Sequence, residues 1–98
     1  PEAPELLDRA QLRDLQRRGV LFERDGLWFH LDALDLACGA ASRLLAVNPD
    51  GFTLAEFRDA LGITRKHAVP LATELDARGF TRRRGEVRIA GPRLSRLP

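Results

Sequence analysis

Residues 64–88 read TRKHAVPLATELDARGFTRRRGEVR, and this stretch decides the fold. Thr64 belongs to the residue types that open helices, because a hydroxyl can take a first-turn N–H. Ala68, Leu71, Ala72 and Leu75 then recur at the three- and four-residue spacing of a single helical face. Lys66, Pro70, Thr73 and Ala77 fall on the opposite face. Gly79 suits the left-handed turn that stops a helix. Two short β-prone runs follow, 80–83 and 86–89, around Arg84-Gly85. The spacing predicts a helix over 65–78 and then a hairpin with an arginine-rich tip.

The preceding residues extend this pattern. Gly62-Ile63-Thr64 is a tight turn, with Ile63 placed to plug its corner. Thr53 and Glu56 have capping-box spacing, and Phe52 and Phe57 flank them as a hydrophobic staple, so a short helix is expected over 54–61. Helix, glycine turn and helix form the helix-turn-helix layout. Before it, Asp32 is the expected cap, with Leu31 and Leu36 as its staple. Leu34, Ala37, Cys38, Ala41 and Leu45 keep helical spacing up to the turn signal Asn48-Pro49-Asp50-Gly51. Cys38 lies on that apolar stripe and is expected to pack there; a reactive thiol is the alternative. Three helices and a hairpin make a mainly α, α+β domain over 31–91, a winged helix-turn-helix.

The first thirty residues repeat only the end of this design. Asp8 is the expected cap of a helix over 9–18, with Gln11 completing a capping box and Leu7 stapling to Leu12. Gly19 stops it, and Asp25-Gly26 between 20–22 and 27–30 is a strong hairpin signal. Shifted by sixty residues, LQRRGVLFERDGLWF overlies LDARGFTRRRGEVRI with one residue fewer in the second hairpin. Residues 1–30 are therefore expected to be the helix and wing that end a first winged helix. Residues 92–98 lack a core pattern and are expected to be a flexible tail. The chain begins at Pro1 and has no Met, which suggests a piece of something longer.

Composition removes several function classes. One cysteine excludes a disulfide framework within the chain, and with two histidines it cannot supply the usual four-ligand zinc site. No catalytic dyad, phosphate-binding loop or metal set is visible, so neither enzyme activity nor a cofactor is expected within these residues. There is no apolar run near the roughly 20 residues that span a bilayer, and no signal-peptide pattern. The expectation is a monomeric cytoplasmic protein with no membrane partner. Net charge is +2 but uneven: residues 1–48 carry six Arg against eight Asp or Glu, and residues 49–98 carry ten Arg or Lys against six. The C-terminal half is the basic one, as nucleic-acid binding requires.

The basic residues gather at two places. Arg65, Lys66 and His67 fill the first turn after Thr64, where the helix already carries partial positive charge; each cation there costs about 0.3–1 kcal/mol. A phosphate would resolve that conflict by pairing with the cations and accepting the first-turn N–H groups. Side chains pointing into water are the plainer alternative. Arg82, Arg83 and Arg84 are consecutive in the wing, with Arg88 returning beside them. An anion among them would offset their repulsion; a sheet edge defended by charge is the alternative. Thr64, Arg65, Lys66, His67, Arg82, Arg83, Arg84 and Arg88 are thus the candidate RNA-contacting residues. The first hairpin, with Phe22, Leu27, Trp28 and Phe29 beside Glu23 and Asp25, suits packing against a neighbour, with Trp28 as a base-stacking platform the alternative.

The run GFTLAEFRDALGITRKHAVPLATELDARGFTRRRGEVR, residues 51–88, resembles the last winged-helix domain of the SelB family, the bacterial elongation factors for selenocysteine. LQRRGVLFERDGLWFHLDAL before it resembles the end of the penultimate winged helix of the same tail. The resemblance implies a GTP-binding translation factor that delivers selenocysteinyl-tRNA to the ribosome at a recoded UGA. It also implies winged helices that grip an mRNA stem-loop, the SECIS element. GTP would belong to a part N-terminal to these residues. By motif, Thr64, Arg65 and Lys66 stand in the recognition helix, and Arg82 and Arg83 in the wing. His67 stands where the family often has Tyr, Arg84 replaces an apolar tip residue, and Ala72, Thr73 and Glu74 replace a more leucine-rich stretch. A DNA-binding winged-helix regulator and a protein–protein module remain the alternatives. They are disfavoured by the weak base readers on the helix face and by the charge conflict at its start.

Overall fold

The computed structural model describes residues 9–94. They run in the order α1 (Arg9–Arg17), β1 (Leu21–Arg24), β2 (Leu27–His30), α2 (Leu31–Val47), α3 (Leu54–Leu61), α4 (Arg65–Ala77), β3 (Thr81–Arg84) and β4 (Val87–Ala90). The strands form two antiparallel hairpins, β1–β2 and β3–β4. Helices α2, α3 and α4 with the second hairpin are a winged helix, and no helix among the described residues is long and apolar enough to cross a membrane.

Local chemistry explains the helix boundaries. Thr53 opens α3 through a complete capping box: its hydroxyl accepts the Glu56 N–H at 3.1 Å, and the Glu56 carboxylate accepts the Thr53 N–H at 2.8 Å. Phe52 stacks on Phe57 at 5.7 Å and both rings are fully buried, so the staple closes as expected. Gly62 ends α3 at φ +65°, the left-handed conformation that a glycine adopts without strain. Replacing Thr53 with Ala should lower stability by about 1 kcal/mol, measured by urea unfolding, since the Glu56 N–H loses its acceptor while the residue-53 N–H keeps the Glu56 carboxylate. An unchanged midpoint would show that the cap is dispensable.

Three expectations about boundaries need correction. The cap of α2 is His30, not Asp32: the His30 Nδ1 accepts the Asp32 N–H at 3.0 Å. The helix thus starts two residues earlier, Phe29 and Leu34 take the staple positions inside the core, and Leu36 is left 66% exposed. Pro70 is fully buried instead of lying on the outer face of α4, where Lys66 and Ala77 are exposed. The chain also does not leave the fold at Pro92. Arg93 N–H donates to the Gly79 carbonyl at 2.8 Å, its guanidinium lies 4.6 Å from the Phe80 ring centre, and Leu94 joins the core. The expected Asp8 cap, the Leu7 staple and residues 95–98 lie outside the described residues.

The core joins both parts of the chain. Phe22 and Phe29 of the first hairpin stack at 5.4 Å, and they share one buried cluster with Leu34, Phe57, Leu71 and Leu75. The expectation that the first hairpin packs against a neighbour is met at this surface by Phe22 and Phe29. Opposed residues of an antiparallel pair share a face, so Phe22, Arg24, Leu27 and Phe29 all lie on the side that meets the helices. Cys38 packs at the edge of the cluster, where burial first and Asp35 second push its thiol pKa up, against a lowering by Arg93. That keeps it protonated and unreactive at neutral pH, as a packing residue should be.

Candidate nucleic-acid interface

The start of α4 is open. Thr64 has the extended backbone of a cap, but its hydroxyl makes no capping bond and instead lies 3.1 Å from the His67 Nδ1. The first turn holds no acid, and Arg65 and Lys66 are exposed in it. The helix dipole and the cations therefore add at this end, as the sequence suggested.

The second hairpin splits its arginines. Thr81 pairs with Ala90, Arg82 with Ile89, Arg83 with Arg88 and Arg84 with Val87. Alternation puts Thr81, Arg83 and Arg88 on one face and Arg82 and Arg84 on the other. The first face points at α4, because the Thr81 hydroxyl donates to Asp76 Oδ1 at 2.6 Å and Arg88 Nε donates to the same carboxylate at 3.0 Å. Arg65, Arg83 and Arg88 consequently line one groove of about 390 Å³, between the beginning of α3, the face of α4 and the wing, with Thr73 on its wall and Glu86 also lining it. Arg83 is held at the wing tip by its Nε bond to the Gly85 carbonyl at 3.2 Å.

The candidate residues therefore do not act as one cluster. Arg65 and Arg83 converge, both exposed. Arg88 joins them, but its side chain is only 13% exposed and is committed to Asp76, so its first role is to root the wing. Arg82 and Arg84 are exposed on the far face. Lys66 lines a second groove with Asp25, Leu27, Val69 and Pro70, against the first hairpin. His67 is half-buried, with the Phe29 ring edge-on at 6.2 Å, and lines an apolar pocket with Leu36, Leu61 and Ile63. The hairpin turn falls at Gly85-Glu86, one residue later than the sequence suggested.

Two acids that sequence reasoning passed over organise this end of the molecule. Asp76 holds Thr81 and Arg88, as above. Glu74, 8% exposed, receives Arg24 at 2.9 Å and Arg78 at 2.6 Å. Both acids sit near the C-terminus of α4, where the dipole disfavours negative charge. The signal that singled out Arg65 to His67 was therefore present at the other end of the same helix. Among the described residues, no group of three or more His, Cys, Asp or Glu could hold a metal ion.

The geometry matches known proteins. Residues 43–90 match the family model described as "Elongation factor SelB, winged helix". The chain is also similar to the solved mRNA-binding domain of elongation factor SelB from E. coli in complex with SECIS RNA. The two share 27% identity with a TM-score of 0.76, over 85% of this chain and 69% of that one. No curated protein matches.

Proposed function

Residues 43–90 belong to the SelB winged-helix family, and from that premise we propose that this chain is the mRNA-gripping region of a selenocysteine-specific elongation factor. It holds a SECIS-type stem-loop and so supports selenocysteine incorporation at UGA. The observation that carries this reading is the convergence of Arg65, at an uncapped helix start, and Arg83, from the wing, on one groove. A helix start with a guanidinium beside it binds a backbone phosphate through N–H groups and charge together. The wing supplies the second wall, so a strand that turns sharply can be held on both sides. Arg82 and Arg84, on the other wing face, attract the polyanion from a distance.

Residues 9–30 then end a preceding winged helix, and the complete one begins at residue 31 and takes in Leu94. The protein works as a monomer in the cytoplasm. GTP, the ribosome and selenocysteinyl-tRNA belong to the elongation factor as a whole. A duplex-DNA reader is less well supported. Such a reader places base-contacting side chains along the exposed helix face, whereas here Thr73 and Ala77 offer little readout and Pro70 is buried.

Titration with a stem-loop RNA, a scrambled RNA and a matched DNA duplex at two salt concentrations tests the reading. The stem-loop should bind at least about tenfold more tightly than either control, and the preference should survive at the higher salt. Equal binding to all three would reduce the groove to a generic cation patch.

A further inference from the structure

The groove lined by Arg65, Arg83 and Arg88 is also lined by an acid, Glu86. The acid pairs with none of the three. Arg88 Nε is committed to Asp76 at 3.0 Å, and Arg83 Nε to the Gly85 carbonyl at 3.2 Å. Glu86 is exposed at the wing turn, and among the described residues its carboxylate has no bonded partner. The turn accounts for Gly85, at φ +62°, but makes no demand for a carboxylate at the next position. A polyanion meets this acid at a cost, because carboxylate and phosphate repel and both can only accept hydrogen bonds. Arginine contacts to phosphate hold an RNA without reading it; reading needs side chains that reach base edges. The hydroxyls of the groove are already engaged. Thr73 donates to the Val69 carbonyl at 2.9 Å, and Thr53 accepts the Glu56 N–H at 3.1 Å. Glu86 keeps both carboxylate oxygens available.

We propose that Glu86 is the base-reading residue of this groove and that it selects an unpaired guanine of the RNA loop. The proposal rests on the stem-loop reading above. Guanine presents N1–H and the N2 amine side by side on its Watson–Crick edge, and these two donors match the two carboxylate oxygens. Adenine and cytosine present one amine beside a ring-nitrogen acceptor, and uracil one N–H between two carbonyls. Those acceptors face the carboxylate and repel it. A loop leaves the Watson–Crick edge open, whereas a duplex closes it. The acid therefore penalises any strand without paired donors, while Arg65 and Arg83 grip the phosphates of the strand that has them.

Binding of the whole chain to a panel of stem-loop RNAs tests this. All share one stem and a loop of uridines, through which a single guanosine is moved position by position. At one position guanosine should tighten binding by about tenfold over the all-uridine loop, and inosine there, which lacks the N2 amine, should recover only about threefold. Glu86→Gln and Glu86→Ala should each bind that guanosine loop about tenfold more weakly. Both should hold the all-uridine loop at least as tightly as wild type, by up to about threefold, because a repulsive charge has gone. Opposite movements for the two RNAs are what a structural role would not produce. An equal change for every RNA in the variants, in either direction, would leave the guanosine preference in place and overturn the proposal. Wild type that binds every stem-loop alike, wherever the guanosine stands, would overturn it too and leave the stem-loop reading intact. Wild type that binds no stem-loop would remove both.

Discussion

Replacing Arg65 and Arg83 together with Ala is expected to weaken stem-loop binding by about 100-fold or more at physiological salt. A hydrogen bond from a charged group contributes about 1.5–3 kcal/mol, and each 1.4 kcal/mol is tenfold. Both side chains line the same groove and both are exposed, so binding should suffer while the fold does not. The slope of log affinity against log salt should become shallower by about two, one for each phosphate contact removed. If the two arginines clamp one phosphate, the double variant should lose less than the sum of the single losses. Arg82→Ala and Arg84→Ala, on the opposite wing face, should each cost only about threefold through long-range attraction. Binding by the Arg65/Arg83 double variant within twofold of wild type would place the interface somewhere other than this groove.

Asp76→Ala should be the most damaging single change at the site. The carboxylate accepts the Thr81 hydroxyl at 2.6 Å and Arg88 Nε at 3.0 Å. Thr81 is 1% exposed and the Arg88 side chain 13%, so removing the acid leaves a hydroxyl and a guanidinium without their partner away from water. Breaking a buried pair costs about 3–5 kcal/mol; Asp76 is 26% exposed, so about 3 kcal/mol is expected in urea unfolding. The wing loses its tether to α4, and RNA affinity should fall by about tenfold although Asp76 itself is an acid and need not touch RNA. Asp76→Asn retains one acceptor and should cost about half as much. A loss below about 1 kcal/mol for Asp76→Ala would show that apolar contacts, and not this carboxylate, root the wing.

Much of the architecture was legible because its signals are local. The Thr53–Glu56 box spans four residues and the Phe52–Phe57 staple six; both report a helix start by themselves. Asp25-Gly26 adopts positive φ at both positions, as its composition foretold. The cap of α2 was misplaced for the same local reason. Asp32 has the stronger propensity, but His30 ends β2 in an extended conformation with a ring nitrogen in reach, and that geometry decided. Pro70 was set on the outer face by helical periodicity alone. The helix stripe carries no information about a hairpin forty residues earlier that covers that surface.

By itself, the sequence determined the order of helices, stops and hairpins, the residues able to cap them, and the concentration of cations at a helix start and a wing. Those are short-range matters of propensity and spacing. Only the tertiary structure decided that Arg83 turns to meet Arg65 while its neighbours turn away, because strand faces have meaning only once the hairpin lies against α4. It also decided the fate of the charges at the other helix end. Glu74 finds Arg24 across fifty residues of chain, and a pairing at that distance depends on how the whole core folds, which no local pattern encodes.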